Sequence, residues 1–217
     1  MERLLYTYFR SSAAYRVRIA MNLKGLPYQS IPVHLVREGG QQHAAAFRKL
    51  NPQELVPVLV EDGHAMRQSL AIIEWLEERH PTPSLLPGDA ETRCRIRQIA
   101  CTIACDVHPL QNLRVVQYLT GVLGASEDAK TEWMRHWMTL GFDALETELA
   151  VAPWRGRFCV GDVPTLADCC LVPQLFNARR IGVNVERDYP VLAGIDAACG
   201  EIPAFMEAHP ARQVDAE

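Results

Sequence analysis

The stretch Leu4-Leu5-Tyr6-Thr7-Tyr8-Phe9-Arg10-Ser11-Ser12, read on through Leu35, decides the fold. Residues 4–9 have the apolar and aromatic character of a strand. Arg10-Ser11-Ser12 then opens a helical pattern. Tyr15, Ile19, Ala20 and Leu23 share one face, with Arg16 and Arg18 off it. Gly25 stands at the C-terminal cap, and Pro27 bars continuation. Residues 28–35 read as a second strand in which Ile31, Val33 and Leu35 alternate. The chain therefore begins strand, helix, strand.

Working outward, Gly39-Gly40 breaks the chain and residues 43–50 suit a short helix. Val56-Pro57-Val58-Leu59-Val60 reads as a strand entered through a proline. Glu61-Asp62-Gly63-His64 signals a hairpin, and Ala65-Met66-Arg67 returns as a short strand. Ser69 is expected to cap a helix running to about His80, with Ile72, Ile73 and Leu76 inward. Pro81, Pro83 and Pro87-Gly88 punctuate a linker. Beyond residue 90 no strand pattern remains. Ile96, Ile99, Ile103, Val107 and Leu110 predict one long helix kinked at Pro109. Further helices are expected over 127–150 and 165–180, with shorter ones near 189–199 and 202–208. The expected organisation is an α+β domain of βαβαββα order over 1–82, a linker over 83–90 and an all-α domain over 91–217.

With 217 residues and 48% hydrophobic composition, the chain can bury one large or two small cores. A net charge of −4 gives no reason to expect nucleic acid or an anionic membrane as partner. Arg far outnumbers Lys, through codon bias or because a few guanidinium groups bind carboxylates. No apolar run approaches the roughly 20 residues needed to span a bilayer. Met1 to Tyr6 enters an apolar segment at once, without the pattern of a signal peptide. Seven scattered Cys, with no Cys-x-x-Cys, read as reduced thiols. A cytoplasmic protein is expected.

Three short segments suit ligand chemistry. Ser11-Ser12 stand where the first amides of a helix are unpaired and partly positive, a place that stabilises an anion such as a thiolate. A plain N-cap explains the same pair. A proline after Val56, if cis, turns the preceding backbone outward to meet an extended peptide; an ordinary edge-strand proline is the alternative. Gln68-Ser69 open another helix whose amides suit a carboxylate, or are merely capped. A thiolate site, a peptide-pairing strand and a carboxylate site in this order are what a γ-glutamyl tripeptide thiol needs.

The run Tyr8-Phe9-Arg10-Ser11-Ser12-Ala13-Ala14-Tyr15-Arg16-Val17-Arg18-Ile19-Ala20 resembles the signature of the zeta-class glutathione transferases, the maleylacetoacetate isomerase family. Gly39-Gly40-Gln41-Gln42, Leu50-Asn51-Pro52, Val56-Pro57, Gln68-Ser69-Leu70-Ala71-Ile72-Ile73-Glu74, Pro109-Leu110-Gln111-Asn112-Leu113 and Val160-Gly161-Asp162 also match, as does Thr165-Leu166-Ala167-Asp168. The resemblance spans nearly the whole chain. It implies the glutathione-transferase fold: a thioredoxin-like first domain, a helical second domain, and a homodimer. Carried over by position, it puts Ser11 and Ser12 at the glutathione sulfur. Gln42 and Val56 would hold the glutathione backbone, and Gln68 and Ser69 its γ-glutamyl carboxylate. His108 and Asn112 would line the site from the helical domain. Thr165 and Asp168 would form a capping box with a folding role. Ala13 is a departure, since many members carry Cys there; activation of the sulfur then falls to Ser11, Ser12 and the helix terminus.

The activity the resemblance implies is a glutathione-dependent cis–trans isomerisation of maleylacetoacetate to fumarylacetoacetate, by reversible thiolate addition. A dianionic substrate calls for cations. Arg10, beside the sulfur motif, Arg114, two residues after Asn112, and Arg180, at a helix end, are the candidates for clamping carboxylates and stabilising the enolate; each is otherwise a surface Arg. His108 either donates a proton or a hydrogen bond, or packs as a neutral side chain. Cys101, Cys105 and His108 share one helical stripe that reads as buried core rather than metal site, and no metal is expected. Cys169-Cys170 read as buried, and Trp133, Trp137 and Phe142 as core or dimer surface. Maleylpyruvate isomerisation is the nearest rival function. A glutathione-consuming transferase or dehalogenase of small halo acids, and a non-catalytic glutathione-binding protein, stand further off.

Overall fold

The computed structural model describes residues 2–217. Contacts divide them into two compact units. One runs up to Leu85 and takes in Gly200–Glu217, and the other is Leu86–Cys199.

In the first unit the order is β1 (Arg3–Thr7), α1 (Ser12–Leu23), β2 (Gln29–Pro32), α2 (Ala45–Leu50), β3 (Val58–Glu61), β4 (His64–Arg67) and α3 (Ser69–Arg79). This is the βαβαββα succession of a thioredoxin-like domain. The sheet order is β2-β1-β3-β4. β1 runs parallel to β2 with Tyr6 opposite Ile31, and antiparallel to β3 with Leu5 opposite Leu59. One face of the sheet is covered by α1 and α3, which pack together and bury Ala14, Val17, Ile19, Met21, Ile72, Ile73 and Leu76. A second cluster joins Tyr8, Phe9, Val33, Phe47, Val56 and Val58. Both strand ends fall short of the sequence expectation. Tyr8 and Phe9 leave the ladder for this cluster, so the turn that carries Ser11 starts earlier. β2 stops at Pro32, although Val33 still donates to the Thr7 carbonyl at 2.7 Å.

α1 ends where expected, with Gly25 at φ +63, a left-handed position glycine adopts without a Cβ clash. The Lys24 ammonium closes this end by donating to Glu77 and to the His80 and Pro83 carbonyls, at 2.7, 2.7 and 2.8 Å. Arg16 and Arg18 do not lie on an exposed face. α1 is also covered by α10 (Pro203–Ala208), and both arginines are buried, Arg18 with no exposure at all.

The second unit is all-helical. Its elements are α4 (Ala90–Cys101), a π-helical stretch Thr102–Val107, a 3-10 turn His108–Gln111, α5 (Leu113–Gly121), α6 (Glu127–Val151), α7 (Leu166–Arg180), α8 (Val185–Asp188) and α9 (Pro190–Gly200). Ile96, Ile99, Ile103, Val107, Met138, Phe142, Leu145, Leu166, Leu171 and Leu175 form its core. Gly141 lets α6 approach the π-helical stretch: a Cβ there would lie 2.2 Å from Val107 Cγ2. The single long helix kinked at Pro109 is corrected. The helix widens, tightens and stops, and Asn112 starts a new one. Cys101 and Cys105 are exposed rather than core. The buried stripe runs through Ile96, Ala100, Ile103 and Val107, and Cys101 and Cys105 lie more than about 100° around the helix from it. Cys169 and Cys170 are fully buried, as is Phe142, while Trp133 and Trp137 are half-buried. Among the described residues, no helix is long and apolar enough to cross a membrane.

Candidate functional site

Four segments of the first unit carry the predicted ligand groups. The first is the turn before α1. Ser11 is the N-cap, in extended backbone, and its Oγ accepts from the Ala14 N–H at 3.2 Å. That uses a lone pair and leaves the hydroxyl proton to donate elsewhere. The cap and the anion-site interpretations of Ser11 are therefore compatible. Ser12 follows as the first helical residue and is buried. No acidic residue stands in the first turn, so the partial positive charge of the helix start is not neutralised locally. Arg10 is exposed, with its guanidinium 4.9 Å from the centroid of the Phe9 ring.

Gln42 lies in a 3-10 turn and is buried. Its Nε2 faces the Leu35 carbonyl at 3.3 Å and His43 Nε2 at 3.1 Å, while its Oε1 is buried without a partner. A buried acceptor without a partner costs about 1–3 kcal/mol until something donates to it. Val56 precedes the cis bond to Pro57 and stands just outside β3. Among the described residues, no hydrogen bond engages its main chain.

At the start of α3 the cap is Gln68, not Ser69, which is already the first helical residue. Gln68 has φ +69 and makes no side-chain cap; its amide instead donates to Gln53 Oε1 at 2.9 Å. A non-glycine residue held at positive φ costs about 1 kcal/mol or more. Ser69 is buried, and its hydroxyl accepts from Arg16 Nη1 at 3.2 Å. The first turn of α3 again has no acidic residue. Arg16 is the residue the sequence reading missed. It places a buried cation beside an uncapped helix start, and its position in an apolar helix pattern gave no sign of that.

These groups suit a peptide thiol. They offer a hydroxyl donor and the partly positive start of a helix for a thiolate, an open main chain beside a partnerless amide oxygen, and an uncapped helix start with a cation for a carboxylate.

In the second unit, His108 opens the 3-10 turn and is half-buried. Asn112 caps α5, its Oδ1 accepting from the Arg114 N–H at 3.2 Å. Arg114 therefore belongs to the first turn of a separate helix rather than to a long one. It is exposed and makes no salt bridge with any described residue. Asn177 joins this turn to the end of α7. Its Nδ2 donates to Gln111 Oε1 at 2.6 Å, and its Oδ1 accepts from Arg180 Nη1 at 3.2 Å. The structure thus brings Arg180 toward the 108–112 turn. Thr165 and Asp168 form the capping box of α7.

Residues 5–84 match the model of the glutathione S-transferase N-terminal domain, and residues 140–210 that of the C-terminal domain. A probable maleylacetoacetate isomerase of Vibrio cholerae is 49% identical over 216 residues, covering 100% of this chain and 99% of that protein. A solved maleylpyruvate isomerase, described as a bacterial zeta-class glutathione S-transferase, superposes with a TM-score of 0.95 at 50% identity, covering 99% of this chain and 100% of that one. A maleylacetoacetate isomerase from Anaeromyxobacter dehalogenans, solved with glutathione in its active site, gives a TM-score of 0.87 at 45% identity, covering 100% and 98%. Likeness of this extent in both halves means that the chain belongs to the glutathione S-transferase family, in its zeta class.

Proposed function

We propose that the protein is a glutathione-dependent cis–trans isomerase that converts maleylacetoacetate to fumarylacetoacetate. The observation that carries this is the 49% identity, over 100% of this chain, to a probable maleylacetoacetate isomerase; the hydroxyls and helix starts at Ser11-Ser12 and Gln68-Ser69 support it. Bound glutathione supplies a thiolate that adds reversibly to an activated double bond, so it is neither consumed nor oxidised. In this reading the Ser11 hydroxyl donates a hydrogen bond to the sulfur, and Ser12 and the partly positive start of α1 lower the cost of the negative charge. Gln42 and the Val56 main chain hold the peptide. Gln68, Ser69 and Arg16 take the γ-glutamyl carboxylate. Arg10, Arg114 and Arg180 bind the substrate carboxylates and stabilise developing enolate charge. His108 and Asn112 supply hydrogen bonds, and Ala13 takes no part in the chemistry. The reading extends to a homodimer and a cytoplasmic location, by analogy with the family.

A second reading, maleylpyruvate as substrate, is favoured by the TM-score of 0.95 to a maleylpyruvate isomerase. Both are tested by incubating the protein with each diacid, with and without glutathione, and following the trans product. Turnover that requires glutathione yet leaves its concentration unchanged is expected, and the ratio of the two rates selects the substrate. Glutathione consumed in proportion to product would overturn the isomerase.

A further inference from the structure

The turn from β1 into α1 carries the hydroxyl proposed for the sulfur site, and it is held by partners both near and far along the chain. Tyr8 O accepts from Ser11 N at 3.0 Å and from Arg18 Nη1 at 3.3 Å. Phe9 O accepts from Arg18 Nη2 at 3.1 Å. The same guanidinium reaches Thr7 Oγ1 and the Ala208 carbonyl, both at 3.0 Å. The Phe9 N–H has no such neighbour nearby in sequence. It donates to Asp215 Oδ2 at 2.9 Å, 206 positions further on, and the other Asp215 oxygen is buried without a partner.

The segment bearing Asp215 is itself anchored. α10 packs along α1, and Asn22 Nδ2 donates to the Ala204 carbonyl at 3.0 Å. The Tyr15 and His209 rings meet edge to face. Gln213 Nε2 donates to the Glu207 and His209 carbonyls, and Glu217 pairs with Arg37 at 2.7 Å. Burial lowers the pKa of Arg18 to about 10, partly offset by Tyr28, Tyr15 and Asp215. The turn is therefore gripped from two sides: a guanidinium takes its carbonyls and a carboxylate takes its amide.

We propose that Asp215 is a positioning residue for the sulfur site, fixing the Phe9 amide so that Ser11 and the first amides of α1 face the glutathione thiol. This rests on the reading of Ser11 as the sulfur contact. Geometry and charge pull in opposite directions here. Loosening the turn raises the pKa of the bound thiol, because the thiolate loses its donors. Removing a nearby negative charge alone lowers it.

The test is a pH titration of thiolate absorbance for glutathione bound to the wild type, Asp215→Ala, Asp215→Asn and Ser11→Ala, with kcat and the glutathione KM alongside. Asp215→Ala is expected to raise the thiol pKa and cut kcat about tenfold. Its glutathione KM should change less, because Gln42, Val56, Gln68 and Ser69 are untouched. Asp215→Asn keeps an oxygen for the Phe9 N–H and is expected to stay within about threefold of wild type. A pKa that falls equally in both Asp215 variants would mean the carboxylate acts only as a charge, and would overturn the proposal. So would a wild-type titration for Asp215→Ala alongside a perturbed one for Ser11→Ala, with Ser11 still the sulfur contact. A wild-type titration for Ser11→Ala would remove the Ser11 reading and this inference together.

Discussion

The starts of α7 and of α3 are the same physical object put to opposite uses. At α7 the Asp168 carboxylate accepts from the main-chain N–H groups of Cys159 and Thr165 at 2.9 and 2.7 Å and from the Thr165 hydroxyl at 2.9 Å. Asp168 and Thr165 are fully buried. Burial pushes the Asp168 carboxyl above its usual range, and these hydrogen bonds oppose that only in part. At α3 the side chain of the cap residue makes no hydrogen bond to the helix amides, its backbone is at φ +69, and the nearby charge is the cation of Arg16. A helix start left open at a cost in strain, beside a cation, suits the ligand anion proposed for it; one closed by its own buried carboxylate suits a folding role. α1 lies between the two, because Ser11 both caps it and keeps a proton to give.

The contrast breaks first at α7. Asp168→Ala leaves three buried donors without an acceptor, each costing about 1–3 kcal/mol. The expected loss is about 4 kcal/mol in urea unfolding, with glutathione affinity unchanged in whatever protein remains folded. A loss under about 1 kcal/mol would mean that the box is not what holds this end of the helix.

Ser11→Ala sharpens the intermediate case. Loss of the cap should cost about 1 kcal/mol of stability. Loss of one donor to the sulfur should lower kcat about 10- to 100-fold. Equal small effects on both would make Ser11 a cap and nothing more. At α3 the test runs the other way. Gln68→Asp supplies a carboxylate cap where none exists, so stability should hold or rise, while glutathione Kd rises about tenfold by repulsion of its carboxylate. Unchanged affinity, measured by calorimetry, would show that no ligand carboxylate sits there.

Much of this is legible in the sequence, for local reasons. Ser11-Ser12 before an apolar helix pattern, Gly25 at its end, the proline after Val56 and the Thr165-x-x-Asp168 spacing are short-range rules that tertiary context leaves intact. What fails depends on contacts between distant segments. Helix periodicity turns Arg16 and Arg18 outward because it assumes one buried face, whereas α10 covers α1 from residues nearly two hundred positions away. Asp215 leaves no sign at all, since its partner is a main-chain amide. The break at 102–112 is half visible. Pro109 announces a disturbance, and Asn112 ahead of a helical run is an N-cap signal that the apolar periodicity absorbs into one helix. Gln68 yields to Ser69 as the expected cap because the longer glutamine side chain is not among those favoured in that role, and because nothing local announces a positive φ.

The cysteines give the smallest and cleanest test of the α7 half of the comparison. Cys94, Cys101 and Cys105 are exposed on α4 and its π-helical extension, while Cys159, Cys169, Cys170 and Cys199 are buried. Burial pushes the Cys159 and Cys199 thiols well above their usual range, so they have neither access nor thiolate. Three thiols are therefore expected to react quickly with a disulfide reagent in the native protein, and four only after unfolding. Cys159 is the informative one, because its main-chain N–H is held by Asp168. In whatever Asp168→Ala protein remains folded, the loop bearing Cys159 should open ahead of the rest. A fourth thiol would then appear at low denaturant, assigned to Cys159 by peptide mapping. If instead all four buried thiols appeared together, the capping box would not be a local latch, and α7 would unfold only with the whole helical unit.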